Sequence, residues 1–415
     1  MDLTCDAPGL MSLEEAKKRI SDLIPIVQEL TLLPLQDCLD RISAADVYSP
    51  IDVPGYNNSA MDGYAFRLQD LKENGCVKLV GKSFAGNPFS RILGKGECIK
   101  IMTGAAIPEG ADTVVMQENA ELTNKEQQDF VSFSSHPKIG SAIRLAGEDI
   151  KKDSRVVSKG NRICAADIGL LASLGCAQVS VYRQVRVAMF STGDELMRAG
   201  DNYEAHRIYD SNRPAVVALL HKMNCDVIDL GIVPDDKDQL RKLLSRADLD
   251  ADCVITSGGV SVGEADFIKE ILAELGQIDF WKIAIKPGKP LAFGRLPNSI
   301  FFGLPGNPVS AFVTFHQIAA DALRLMSGEI VSPELILPAI AASSLKKRAG
   351  RTDYQRGKCF IDATGQLVVE STGAQGSGVF SSFSESNCYI ILERERDSVA
   401  AGETVNIQLF DRLLD

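Results

Sequence analysis

The sequence predicts a multidomain α/β protein built around a central, doubly wound, mostly parallel sheet. Three observations carry that reading. At 415 residues the chain exceeds what one hydrophobic core organises, and its 45% apolar content is ample to bury several. From Val185 onward, strand-like and helix-like runs alternate: VRVAMFS, RPAVVALLHKMN, DVIDLGIV, KDQLRKLLSRA, DCVITS, ADFIKEILAEL and FWKIAI. That is the rhythm of parallel βαβ units. On either side of this block, short β-rich runs punctuated by Gly, Pro, Asn and Ser mark separate modules.

The opening segment, SLEEAKKRISDLIPIVQEL, has helical periodicity, with Ser12 at the N-cap and Glu15 in capping-box spacing. Between about Asp52 and Ala146 the runs CVKLVG, ECIKIM, TVVMQ and DFVSF suggest a small all-β module. NRICAADIGLLASLGC then returns to helix, so the β module at 52–146 is expected to interrupt an N-terminal unit made of 1–51 and 147–184. The α/β block is expected to occupy 185–330. Within it, LAFGRL and SIFFGL are separated only by Pro297, Asn298 and Ser299 and form a hairpin. PVSAFVTFHQIAADALRLM closes the block as a helix with Asn307 as N-cap and Pro308 at the first helical position. From 331 to 415 the pattern is β again, a small barrel or sandwich. No internal repeat or low-complexity linker separates the modules, which implies close packing.

Composition excludes several classes. There are 44 basic and 55 acidic residues, a net charge of -11, and no block of consecutive Lys or Arg stands out, which argues against nucleic-acid binding. The acidic start lacks an apolar signal region and no run reaches the roughly 18 apolar residues of a membrane span, so a soluble, cytoplasmic protein is expected. The ten cysteines contain no CxxC, and the histidines are isolated at 136, 206, 221 and 316, which argues against structural zinc and a disulfide framework. The thiols are read as small buried hydrophobes in a reducing compartment.

The chemistry concentrates between Cys253 and Pro308, where three loops pinned by Gly or Pro, SGGVSVGEAD, KPGKP and GLPGNP, lie between apolar runs. In open α/β sheets ligands bind beyond the carboxyl ends of the strands. Those ends carry Thr192-Gly193-Asp194-Glu195, Pro234-Asp235-Asp236, and the run from Ser257 to Asp266. The glycines allow close backbone approach, and a following helix offers N–H groups to an anion. A lone glycine pair would be no more than a tight βα turn. The surrounding Ser257, Ser261, Glu264 and Asp266 favour a ligand. Carboxylates crowded around a phosphate imply a divalent cation, and their oxygens suit Mg²⁺. For Asp194, Asp236 and Glu264 capping or plain solvation remains the favoured reading. Lys282, Lys286 and Lys289 lie where Pro287 and Pro290 restrict the chain, a fork that favours oxyanions; Lys282 sits in an apolar strand and would need a partner if buried.

Ten strings, VPGYNNSAMDGYA, IKIMTGA, AGEDI, FSTGDEL, YDSNR, SGGVSVGEADF, WKIAIKPGKP, GLPGNPVSA, GRTDYQRG and SSFSESNC, span the chain in order. Together they resemble the molybdopterin molybdenumtransferase family, which includes the C-terminal domain of gephyrin. The resemblance implies a Mg²⁺-assisted reaction joining molybdate to adenylated molybdopterin, with release of AMP. It places catalytic groups on Asp62, Thr103, Glu195, Asp235, Asp266, Lys282 and Lys286, with Asp62 and Asp266 as Mg²⁺ ligands. Substrate contacts fall on Ser257, Gly258, Gly259, Ser261, Lys289, Pro305, Gly306, Asn307 and Pro308. Arg356 and Ser377 match positions near the oxyanion, and Arg144 and Asp149 match residues supplied by a neighbouring subunit, which implies a homodimer with a shared cleft. The fold it implies has an adenylyltransferase-like α/β domain and a small C-terminal β barrel, and exchange with other cofactor-biosynthesis proteins and apo-molybdoenzymes is a further implication. A molybdopterin adenylyltransferase and a non-catalytic pterin-binding scaffold are the competing readings. The extra β modules weigh against the first, and the complete set of acids and lysines against the second.

Overall fold

The computed structural model describes residues 10–259, 267–411 and 413–414. Its central sheet has six strands in the order Asp226–Val233, Arg186–Thr192, Cys253–Ser257, Ile300–Leu304, Pro290–Arg295, Gln277–Lys282. The first four run parallel, and the last two are joined through antiparallel pairings, so that Pro290–Arg295 alone runs against the rest. Alternation along each strand sends side chains to opposite faces. Val187 and Met189 join a core with Val216, Leu219 and Leu220 of the helix Asn212–Lys222 and Ile20 of the first helix. Ala188 and Phe190 join a second core with Leu240 and Leu244 of the helix Lys237–Asp250 and with Ile268, Ile271 and Leu272. The sheet is therefore doubly wound, and the hairpin around Pro297-Asn298-Ser299 forms as expected, with Arg295 opposite Ile300.

FWKIAI, expected as one strand of the βαβ series, is instead divided. Gln277–Lys282 is the edge strand, and Ile285–Lys286 leaves the sheet to pair with Thr352 and Asp353. The cause lies far off in sequence. Met11 donates its N–H to the Lys282 carbonyl at 2.9 Å and accepts the Ala284 N–H at 2.8 Å, occupying the backbone at the break.

The C-terminal strands Ile336–Ala341, Thr352–Ile361, Leu367–Ser371, Cys388–Leu392 and Thr404–Leu409 close into a five-stranded barrel, because Thr352–Ile361 pairs with Cys388–Leu392 as well as with Leu367–Ser371. Val369, Ile390, Leu392, Val405 and Ile407 fill it. The long helix beginning at Pro308 lies between the sheet and the barrel; it runs to Met326 with a π-helical stretch at Phe315–Ala319. Within that stretch the buried His316 meets Asp411 at 3.3 Å and Gln317 meets Gln408 at 3.0 Å.

At the N-terminal end, the helix Leu13–Leu23 is capped by Ser12, whose hydroxyl accepts the Glu15 N–H at 3.1 Å. The reciprocal half of the capping box is absent, because the Glu15 carboxylate pairs with Arg19 instead. The helix also ends sooner than its periodicity suggests, just before Pro25, whose preceding residue is disfavoured in the α region. Leu30–Pro34 then pairs with Gln178–Tyr182, and Val47–Tyr48 with Arg155–Val157. Between those pairings lies a six-stranded sheet spanning Gly63–Phe133, with Phe66 stacked on Phe133 at 4.7 Å. It is not purely β, since Leu68–Asn74 is a helix. Arg162 forks onto Glu329 and Arg183 onto Asp252, fixing the N-terminal unit to the α/β body.

Two expectations from composition need correction. Lys346-Lys347-Arg348 is a block of consecutive cations. The thiols are not uniformly buried: Cys164 is exposed and Cys76 and Cys176 are half-exposed, although Cys38, Cys98, Cys225, Cys253, Cys359 and Cys388 are buried. No helix is long and apolar enough to cross a membrane, among the residues described.

Candidate functional site

The carboxyl ends of three neighbouring parallel strands converge as the sequence pattern requires. Arg186–Thr192, Cys253–Ser257 and Ile300–Leu304 end beside one another, with Ser191 opposite Ser257 and Ser257 opposite Leu304. Beyond them opens a cavity lined by Thr192, Glu195, Asp210, Asn212, Ser257 and Gly306, among others. Gly258, with φ +95°, is required here, because a Cβ would lie 2.6 Å from the Thr192 carbonyl oxygen. Gly306 lies beside Gly258, where a Cβ on it would meet the Gly258 Cα at an ordinary contact distance of 3.9 Å.

Asn212 ties these loops together. Its Nδ2 donates to Ser257 Oγ and to the Gly306 carbonyl, both at 2.7 Å, and Ser257 Oγ in turn reaches the Pro305 carbonyl at 3.4 Å. The Asn212 Oδ1 is buried, with no hydrogen-bond partner among the described residues. Asn212 occurs in the YDSNR string, but nothing in its residue type or spacing marks it as the bridge. Next to it, Asp210 holds Arg213, which also pairs with Asp229.

The acids of this edge divide by what they touch. Asp235 accepts a hydrogen bond from the Thr192 hydroxyl. Asp236 caps the next helix through the Gln239 N–H at 2.8 Å, the bland role favoured for it. Glu195 is exposed at the cavity, and among the described residues no donor reaches its carboxylate. Ser261 and Asp266 lie outside the described residues, as do Gly263 and Glu264.

The KPGKP turn faces a different neighbour. Lys286 pairs with Asp353 of the barrel at 3.0 Å, the lysine side chain 44% exposed and the aspartate 3%. Lys289 is exposed, and so is Lys282, correcting the idea of a buried lysine: at the sheet edge its side chain leaves the apolar layer. Pro305, Asn307 and Pro308 lead into the long helix as expected, yet Asn307 caps it without a side-chain hydrogen bond. The Val309 N–H is instead taken by the Ser377 carbonyl at 3.0 Å, which brings the barrel loop around Ser377 onto the start of this helix.

Arg356 does not open onto solvent. It is fully buried, its Nε donating to Ser382 Oγ at 3.0 Å and its Nη2 to the Gly376 carbonyl at 3.4 Å, and burial lowers its pKa from the usual arginine value. It supports the loop carrying Ser377 from beneath.

The remaining predicted residues form a second cluster on the N-terminal sheet. Asp62 and Thr103 are in direct contact, and hydrogen bonds from the Thr103 N–H and hydroxyl hold the Asp62 carboxyl below the usual range. Arg144 pairs opposite Asn58, and the Asp149 N–H reaches the Val53 carbonyl at 3.0 Å, so both flank the same polar loop. Among the described residues, no hydrogen bond or ion pair joins 56–146 to 185–411 of the same chain. Nor does any group of three or more His, Cys, Asp or Glu stand ready to hold a metal ion among them.

Known proteins resemble this chain throughout. Family models described as the MoeA N-terminal region (domain I and II), a probable molybdopterin binding domain, and the MoeA C-terminal region (domain IV) match residues 11–175, 188–325 and 338–410. A molybdopterin molybdenumtransferase of Haemophilus influenzae is 48% identical over 406 residues, covering 98% of this chain and 100% of that protein. Gephyrin of Dictyostelium discoideum is 32% identical, covering 92% of this chain and 59% of that one. Among solved structures, a molybdopterin biosynthesis moeA protein from Pyrococcus horikoshii OT3 superposes with a TM-score of 0.82 at 27% identity, covering 97% of this chain and 100% of the other.

Proposed function

The chain belongs to the molybdopterin molybdenumtransferase family of molybdenum-cofactor biosynthesis, and from that premise we propose that it joins molybdate to adenylated molybdopterin and releases AMP. The observation that carries this reading is the cavity beyond the parallel strands, where Asn212 binds the Ser257 and Gly306 loops into one polar cradle with no room for a side chain at Gly258. Close backbone approach of that kind suits a phosphate-bearing ligand.

In balanced form, two thiols of the pterin replace one oxygen of molybdate, their protons leaving with it as water, while a second water cleaves the phosphoanhydride to AMP and a phosphomonoester. Ser257, Gly258, Gly259, Pro305, Gly306, Asn307 and Pro308, with Ser261, position the substrate. Lys282, Lys286 and Lys289 offset its negative charge. Thr103 fixes Asp62 and Thr192 fixes Asp235, so both carboxylates are held before substrate arrives. Arg356 acts as a positioning residue through the Ser377 loop.

Mg²⁺ fits the donor chemistry. It commonly takes one or two carboxylates and completes its shell with water and phosphate oxygens. Asp62, with one oxygen engaged by Thr103, and Asp266 would hold it, and Glu195, whose carboxylate no donor reaches among the described residues, offers a further oxygen ligand. When bound, it would neutralise charge at the phosphoanhydride.

Among the described residues the two clusters have no polar contact within one chain, which supports a homodimer whose cleft combines Asp62, Thr103, Arg144 and Asp149 of one subunit with the cradle of another. Purified protein supplied with adenylated molybdopterin, molybdate and Mg²⁺ should release AMP and activate an apo-molybdoenzyme. Lys286→Ala should lose both. Absence of AMP release from the unmodified protein would sink the reading.

A further inference from the structure

A small cavity lies on the seam between the N-terminal unit and the α/β body, and it shares no lining residue with the cavity beyond the strand ends. Arg41, Arg162, Arg183 and Arg324 line it, against a single acid, Asp40. It offers about 20 Å³ to the centre of a water-sized guest, more than the roughly 10–15 Å³ that one water needs. Its occupant is therefore a water or an ion of very few atoms.

Three of the four guanidinium groups are matched by carboxylates. Arg162 forks onto Glu329, Arg183 forks onto Asp252, and Arg324 reaches Asp411 at 2.8 Å and Asp321 at 3.4 Å. Arg41 is the exception. Its Nη2 donates to the Tyr182 carbonyl at 2.9 Å, one of the five N–H donors a guanidinium carries, and among the described residues no ion pair reaches it. It is half-buried, and burial lowers its pKa; the neighbour that favours its charge is the Cys38 sulfur rather than a carboxylate. Burial raises the Cys38 pKa in turn, and its Sγ donates to the Pro34 carbonyl at 3.2 Å, so that sulfur is an uncharged thiol at neutral pH. A cation drawn partly out of water with no counter-charge is costly, and a guest anion removes that cost.

We infer that this cavity is a binding site for one small monovalent anion, a carboxylate group or a halide, held on the guanidinium of Arg41. The inference does not rest on the transferase reading. Charge sets the valence: one cation lacks a partner, so one negative charge completes the set, and the other three guanidinium groups are already paired. The planar fork of an arginine also matches the two oxygens of a carboxylate. Position gives such a guest a structural consequence. Arg41 and Tyr182 come from the N-terminal unit and Asn224 and Arg324 from the α/β body, so an anion among them joins the two and stabilises the folded chain.

The test is equilibrium dialysis of the full chain against ¹⁴C-labelled formate in a zwitterionic buffer, with chloride or sulfate added separately at matched ionic strength. Saturable binding of one formate per chain is expected, weakened at least about tenfold in Arg41→Gln. Arg246→Gln, which alters an exposed pair with Asp250, should bind as the unmodified protein does. Displacement by chloride identifies a site that takes halides as well, and its failure a site for carboxylates; both uphold the proposal, whereas displacement by sulfate overturns the monovalent assignment. Absent or non-saturable uptake by the unmodified protein means that water fills the cavity, and undiminished binding by folded Arg41→Gln places the anion elsewhere. Either result overturns the proposal. If Arg41→Gln does not fold, Arg41→Lys, which keeps the charge and loses the fork, decides on the same readout, and formate binding equal to that of the unmodified protein counts against the site. AMP release is measured apart from all of this, so the anion site and the transferase reading fail separately.

Discussion

Thr103 presents both its backbone N–H and its hydroxyl to a single oxygen of Asp62, each at 2.8 Å. The second carboxylate oxygen is left for another partner, and the charged form is favoured over the neutral one.

Removing the hydroxyl tests that relationship. In Thr103→Val the Asp62 pKa should rise toward the ordinary value of about 4. The folded-state pKa is depressed, so its stabilising contribution is present above the unfolded value and lost as pH falls through the folded one. The variant keeps the backbone N–H bond, so it should lose only the hydroxyl's part of that contribution at neutral pH and behave like the unmodified protein in strong acid. A carboxyl ¹³C NMR titration reads the shift directly, and identical midpoints in the two proteins would show that the hydroxyl does not matter.

Gly258→Ala should cost about 1–3 kcal/mol, since a left-handed φ and a 2.6 Å approach to the Thr192 oxygen must both be accommodated. The comparison is the urea midpoint of the transition that unfolds the α/β body. A midpoint equal to that of the unmodified protein would mean that the two strand ends can separate freely, and the cradle would lose its claim to rigidity.

Arg356→Lys keeps the charge but not the fork. An ammonium cannot reach Ser382 and the Gly376 carbonyl in the same directions, so a loss of roughly 3 kcal/mol is expected, with earlier proteolysis around residues 373–378. Thermal unfolding and limited digestion measure the two effects. A variant as stable and as resistant as the parent would put the guanidinium's buried bonds in doubt as supports of that loop.

The parts of this molecule that were legible in the sequence are those fixed by local chemistry. Ser12 before an amphipathic run, apolar strands alternating with helices, and three residues between two apolar segments each specify an element without help from distant chain. Where distant partners decide, the pattern misleads. FWKIAI is apolar enough to be one strand, and its division depends on Met11. Lys282 looks internal from its neighbours yet projects from a sheet edge. In the candidate site, glycines at a strand end were informative because only backbone geometry explains them. Asn212 was not, because a bridging amide has the same local signature as any polar residue at a helix start. Arg356 illustrates the reverse case: the family resemblance implies a place near the oxyanion, and the structure adds that its buried guanidinium bonds to backbone and hydroxyl groups.

The pairing of Val47–Tyr48 with Arg155–Val157, reinforced by the Val53 N–H on the Ile150 carbonyl at 2.7 Å, means that the chain exits toward the N-terminal sheet and re-enters at almost the same spot. Everything between those crossings hangs from one narrow neck. A loop of any length can be carried there with little effect on what lies beneath, because the ends of the excursion stay adjacent. The neck is thus a natural graft point, at which a sheet of different size or surface could be exchanged while the cradle, the barrel and the helix between them remain as they are.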